Sequence, residues 1–123
     1  VFTYSLEPDT PAARLDGQVP EAVKDERRER LMNVQQRVAF AWCAARLGQT
    51  LDVVLDQPVE GEAGVFIGRS YADAPDVAPV VYVTGEGLAV GDLVPCEIVA
   101  NQGYDLIGAA VGEPIPRGAT ACR

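Results

Sequence analysis

The sequence contains no histidine. That removes the commonest general base and a frequent metal ligand. Its three cysteines, Cys43, Cys96 and Cys122, stand far apart, with no C-x-x-C or C-x-x-x-C-x-x-C spacing. Zinc and iron–sulfur sites built from local cysteine runs are therefore excluded. Ser5 and Ser70 have no histidine to activate them, so a serine nucleophile of the usual kind is absent. The glycines of GEGLAVGD, residues 85–92, have neither the spacing nor the strand–helix context of a phosphate loop. No apolar run approaches the roughly 20 residues that span a bilayer. The chain opens VFTYS, with no initiator methionine and no charged-then-apolar leader, and reads as a piece of a longer, non-secreted protein. The scattered cysteines then read as free thiols in a reducing, cytoplasmic compartment, with Cys43 and Cys96 acting as small buried hydrophobes.

Positive charge is scarce in one half only. Residues 1–49 hold seven acids and seven bases. Residues 50–113 hold eleven acids against a single base, Arg69, for a net charge of −10. The arginines at 117 and 123 bring the total to −8. Such asymmetry argues for two units with different tasks. Nearly half of the 123 residues are apolar, enough for one modest core.

The hydrophobic pattern divides at the same place. Pro20 opens a helix, with Glu21 placed to suit the helix dipole. Leu31, Val34, Val38, Ala41 and Ala45 follow at spacings of three and four. Glu26 and Arg30 form a favourable i, i+4 pair, and Gly48 ends the run. A helix of roughly 28 residues is about 42 Å long and needs something to lie against. Phe40 and Trp42 fall off the main stripe and are expected to pack on the following domain. From Leu51 the period becomes two. LDVVLD, VFIGRS, PVVYV, LVPCEIV and DLIGAAV are five short strands separated by Gly-, Asp- and Pro-containing turns. The expected fold is mainly β with one long helix, its five strands forming a small antiparallel barrel or sandwich. Pro95 cannot donate to a ladder and is expected at an edge or a bulge. Residues 1–5 could end a strand, and residues 114–123 read as a loose tail.

Three stretches carry a resemblance: FTYSLEPDT at 2–10, QVPEAVKDERRERLMNVQQ at 18–36, and GRSYADAPD at 68–76. GD at 91–92 and YDLIG at 104–108 follow in order. Together the set resembles the C-terminal third of the radical-SAM methylthiotransferases. It is most similar to the branch that methylthiolates an aspartate of a small-subunit ribosomal protein. The resemblance implies that residues 1–49 are the last strand and closing helix of the radical-SAM β/α barrel. It implies that residues 50–113 are a TRAM domain, a five-stranded, OB-like antiparallel β-barrel that recruits substrate. The parent enzyme would use two 4Fe–4S clusters and S-adenosylmethionine, held upstream, so this piece would bind no cofactor and catalyse nothing. Two departures stand out. Asp9 occupies a position where the family usually has glycine, and Ala78–Pro79 replaces an Asp–Gly pair.

The charge bears on which substrate is recruited. RNA binding needs several Lys or Arg against phosphates. A surface at −10 repels a polyanion and attracts a basic protein. A basic ribosomal protein is thus the expected partner and tRNA is disfavoured. Asp73, Asp76, Asp92 and Asp105 are the candidate recruiting residues. Arg69 is expected to organise its loop by pairing with Asp73 or Asp76. Two alternatives remain open: a tRNA-binding TRAM region of a tRNA methylthiotransferase, and a non-enzymatic acidic β-barrel interaction module.

Overall fold

The computed structural model describes residues 1–76 and 79–116. Part of the Ala78–Pro79 turn, and the end of the expected tail with Cys122, lie outside the described residues. The chain forms two compact units, residues 1–39 and 40–123.

In the first unit, a short 3-10 turn at Ala12–Arg14 precedes helix α1, Glu21–Ala45. Thr10 starts that turn: its Oγ1 accepts from Ala13 N at 3.3 Å and donates to Glu7 O at 2.8 Å. Pro20 lies one residue outside α1, and its carbonyl accepts from Lys24 N at 3.1 Å. Having no N–H to satisfy, proline suits this boundary. The expected strand at residues 1–5 is not formed, because the first unit offers it no ladder partner. That segment is tied to α1 by side chains instead. Lys24 Nζ donates to Tyr4 O at 2.9 Å, and Arg28 Nε to Val1 O at 3.4 Å. Asp9 adopts φ +66°, a left-handed conformation that glycine takes freely and aspartate tolerates. On the α1 stripe, Leu31, Val34 and Val38 are exposed.

The second unit is a closed barrel. Its strands are β1 (Thr50–Pro58), β2 (Val65–Arg69), β3 (Val81–Thr84), β4 (Leu93–Gln102) and β5 (Asp105–Ala110). They are ordered β1–β2–β3–β5–β4, with β4 returning to β1. Five strands and one long helix match the expected architecture, and the barrel form is realised over the sandwich. One pairing differs from the expectation: β3 and β5 run parallel, Val81 opposite Leu106. The reason is parity. Direction reverses at every antiparallel step, so five such steps around a ring would return the first strand against itself. A closed barrel of five strands therefore requires a parallel seam.

Two-residue alternation fills the interior. Val53 and Leu55 of β1, Val81 and Val83 of β3, Val94, Cys96 and Ile98 of β4, and Leu106 of β5 are buried together. Cys43, from the end of α1, joins them, and Trp42 packs against the cluster. Phe40 meets Tyr104 edge-on, ring centroids 4.9 Å apart. Both aromatics off the α1 stripe thus pack on the barrel, as expected. Gly48, at φ +78°, turns the chain out of α1, and its N–H donates to Ile98 O at 2.8 Å. The expected edge or bulge position for Pro95 is not found, since a closed barrel has no edge and the bulges fall elsewhere. Its carbonyl accepts from Val111 N at 3.0 Å, just beyond the end of β5. The missing N–H lies on the same side of β4, toward Val111 and away from β1. Ile115 N donates to Leu93 O at 2.7 Å, so the start of the expected loose tail is fastened to β4.

Inward positions on β2 and β5 are taken by Gly68 and Gly108, both buried. The barrel is too narrow for side chains there. A Cβ on Gly68 would lie 2.5 Å from Val54 O and 2.6 Å from Val53 Cγ1. Gly68→Ala is therefore expected to destabilise the barrel by about 1–3 kcal/mol or more. Urea unfolding of the variant against the parent chain checks this, and equal midpoints would contradict the packing described.

Candidate functional site

A polar hollow of the barrel unit lies between the strand pair β1–β2 and the loop after Arg69. It encloses about 530 Å³ and is lined by Asp56, Gln57, Ile67, Arg69, Ala74, Pro75, Asp76 and Val80. Its geometry begins with an irregularity in β1. The β1–β2 register shifts between Leu55 and Gln57, leaving Asp56 as the extra residue. A bulge re-aims the side chain it carries. Here the Asp56 carboxylate meets Arg69 in a two-point ion pair, Nε to Oδ2 at 2.6 Å and Nη2 to Oδ1 at 3.0 Å. The Arg69 pKa is raised, chiefly by this hydrogen bond. The nearby charges of Asp56, Asp76 and Asp73 add to the rise, and desolvation opposes it. Arg69 therefore pairs with Asp56, not with Asp73 or Asp76 as expected. Both groups are partly open to solvent, where such pairs contribute little stability.

The four candidate acids are not gathered into one cluster. Asp73 closes its own loop: Ser70 N and Ser70 Oγ both donate to its Oδ2, at 2.9 and 2.8 Å. Asp92 accepts from Ala89 N at 2.9 Å and shapes the turn before β4. Asp105 accepts from Val80 N at 3.0 Å, where the parallel seam begins. Asp76 sits at φ +56° on the rim of the hollow, and no hydrogen bond holds its carboxylate among the described residues. Asp56 escaped the sequence reading because strict alternation makes it one more outward acid. The signal was its neighbour: Gln57 is polar at what would be the next inward position.

The two described thiols are structural. Cys43 Sγ donates to Tyr104 O and Cys96 Sγ to Val94 O, each at 3.5 Å. Both are buried and free. Among the described residues no group of three His, Cys, Asp or Glu could hold a metal ion. The two described thiols, both buried, do not form a set that fits an iron–sulfur cluster. No helix of the described residues is long and apolar enough to cross a membrane. The site thus has the makings of a binding surface, acidic and rigid at its base, without a nucleophile–base pair.

A barrel of this order and pattern, bearing a polar loop over the β1–β2 pair, matches a known domain. Residues 47–111 match the model of the TRAM domain. The chain belongs to the TRAM domain family. Its relatives narrow the class further. It is 48% identical over 93% of its length to the ribosomal protein uS12 methylthiotransferase RimO of Synechococcus sp. (strain JA-2-3B'a(2-13)). It is 45% identical over 92% of its length to RimO of Syntrophotalea carbinolica, and 40% identical over 89% to RimO of Lachnoclostridium phytofermentans. The chain spans about a quarter of the length of these relatives.

Two outcomes follow from this geometry. Asp105→Ala leaves the half-buried Val80 N–H without its acceptor at the seam, and a loss of about 1–3 kcal/mol is expected. Asp105→Asn, which keeps an acceptor oxygen, should lose less. Chemical unfolding of both variants measures the difference. The second outcome concerns Cys96, whose pKa burial pushes from 9.0 to about 11, with Asp52 adding to the rise. The folded state therefore favours the neutral thiol. Its contribution is fully present below pH 9.0 and is lost as pH rises toward about 11. Thermal midpoints measured across that interval should fall for the parent chain and fall less for Cys96→Ala.

Proposed function

We propose that this chain is the substrate-recruiting region of a methylthiotransferase that modifies an aspartate of a small-subunit ribosomal protein. The barrel holds a basic segment of that protein while a catalytic part elsewhere in the enzyme performs the transfer. One observation carries this reading. Residues 50–113 present eleven acids and one base, and that base is already paired to Asp56. A polyanion such as tRNA finds no free cation there. A basic polypeptide finds a negative field that speeds encounter and favours it over other partners. The names of the relatives agree with the charge, since the protein they name as substrate is ribosomal.

The rest of the reading follows from the same relationship. The two 4Fe–4S clusters and S-adenosylmethionine belong to the radical-SAM part of the enzyme, and no step involves the thiols of this chain. The exposed stripe Leu31–Val34–Val38 on α1 is the face this reading assigns to that upstream domain. The enzyme works in the cytoplasm, where ribosomal proteins are made and assembled. Among the acids, Asp76 is the foremost contact, because its carboxylate lines the hollow and has no hydrogen bond among the described residues. Asp73, Asp92 and Asp105 combine their turn-shaping roles with a share of the attracting field.

Titration of the chain with a basic ribosomal-protein peptide and with tRNA, side by side at low salt, tests the proposal. Peptide binding is expected and tRNA binding is not. Affinity for the peptide should fall with salt, since the screening length drops from about 10 Å at 0.1 M to about 3 Å at 1 M. Asp76→Asn, which tolerates the left-handed backbone, should slow association with the peptide. Tight tRNA binding without peptide binding would move the chain to a tRNA-modifying enzyme.

A further inference from the structure

Tyr71 has the most exposed aromatic side chain described in the barrel unit, 75% accessible. It does not hang on a slack loop. Ser70 before it is buried, and both its N–H and its hydroxyl donate to Asp73. Ala72 N donates back to Ser70 Oγ at 3.2 Å, and Asp73 N to Ser70 O at 3.2 Å. The backbone on either side of Tyr71 is therefore tied down, while its ring stands in solvent. That ring has a fixed neighbour. Trp42 lies 6.5 Å away at 68°, packed against the core. The Arg46 guanidinium covers the Trp42 ring at 4.9 Å.

Leaving a large aromatic outside forgoes the burial that usually recommends it. Holding it on a closed turn lowers the entropy lost when a partner covers it. Rigid, exposed tyrosines of this kind anchor binding surfaces. The face of the ring is negative, and the loop that carries it also carries Asp73 and Asp76. A cation is the complement. We propose that the Tyr71 ring is the anchor of the recruiting surface, and that it receives a lysine or arginine side chain of the basic partner face-on. The inference rests on the recruiting role proposed above and adds the residue that converts attraction into a specific contact. A nucleobase could stack on the same ring, but its phosphates would face the acids of the barrel.

The test uses a peptide of alternating arginine and glycine, followed by calorimetry and by the emission of Trp42, the only tryptophan in the chain. Binding should change the Trp42 emission. Tyr71→Ala should weaken the peptide by roughly three- to thirtyfold, the span of a cation–π contact. Tyr71→Phe, which keeps the ring, should bind like the parent chain. Matching thermal midpoints establish that both variants are folded. If the parent chain binds and Tyr71→Ala binds equally, the anchor is wrong while the charge-driven recruiting stands. If the parent chain binds no basic peptide, the recruiting role falls and the anchor with it. A phenylalanine variant as weak as the alanine one would assign the contact to the hydroxyl and overturn the ring-face geometry. Tyr71-dependent binding of single-stranded RNA, tighter than that of the peptide, would overturn the choice of a cationic partner.

Discussion

A ring of five strands cannot alternate in direction all the way round, and the rest of the barrel unit is organised about that constraint. The mismatch is absorbed at one seam, where β3 and β5 run parallel. Hairpin turns cannot join parallel neighbours, so the seam has no covalent closure of its own. It is fastened instead by hydrogen bonds at its entrance. Val80 N donates to the Asp105 carboxylate, and Leu106 N donates to Val80 O at 3.1 Å. The same smallness that makes five strands suffice leaves little room inside. Valines, two leucines, one isoleucine and Cys96 fill most inward positions, and Gly68 and Gly108 provide space for them.

The acids of the barrel serve two scales at once. Locally, Asp73, Asp92 and Asp105 each accept backbone N–H bonds and hold a loop, a turn or the seam. Over longer distances they sum to a field that their local bonds do not cancel, since a backbone N–H carries no net charge. Only Arg69 offers a full positive charge within residues 50–113, and the bulge in β1 brings Asp56 to meet it. With that pair formed, no other base within residues 50–113 offsets the acids. The pair also lines the hollow, together with Ala74, Pro75 and Asp76. The charge of the barrel and the shape of its loops are thus built from the same few residues. The tied turn that displays Tyr71 owes its closure to Asp73, one of the acids that set the field.

Much of this was readable from residue order, and the failures have physical causes. The helix, five strands, buried Cys43 and Cys96, and the packing of Phe40 and Trp42 all follow from periodicity and side-chain character. Arg69 was expected to find an acid nearby in the chain. It found one thirteen residues back, because neighbours across a ladder are closer than neighbours along a loop. Pro95 looked like an edge residue because an interrupted strand suggests one. In the barrel it sits within β4, opposite Asp52 of β1, with its missing donor on the side away from β1. The exposure of Tyr71 gave no signal, since an isolated tyrosine in a polar loop reads the same whether its ring is buried or displayed.

By itself, the sequence determined the switch from helix to strands near Gly48, the inward set of apolar side chains, and the net charge of the barrel. These depend on local period and on a sum over residues, neither of which needs coordinates. Only the tertiary structure decided which strands meet, which pair runs parallel, which acid holds Arg69, and which aromatic remains in solvent. Those outcomes depend on chain closure, on register shifted by a single extra residue at Asp56, and on contacts between residues far apart in order. No window of sequence contains both partners of such a contact, so no window could specify it.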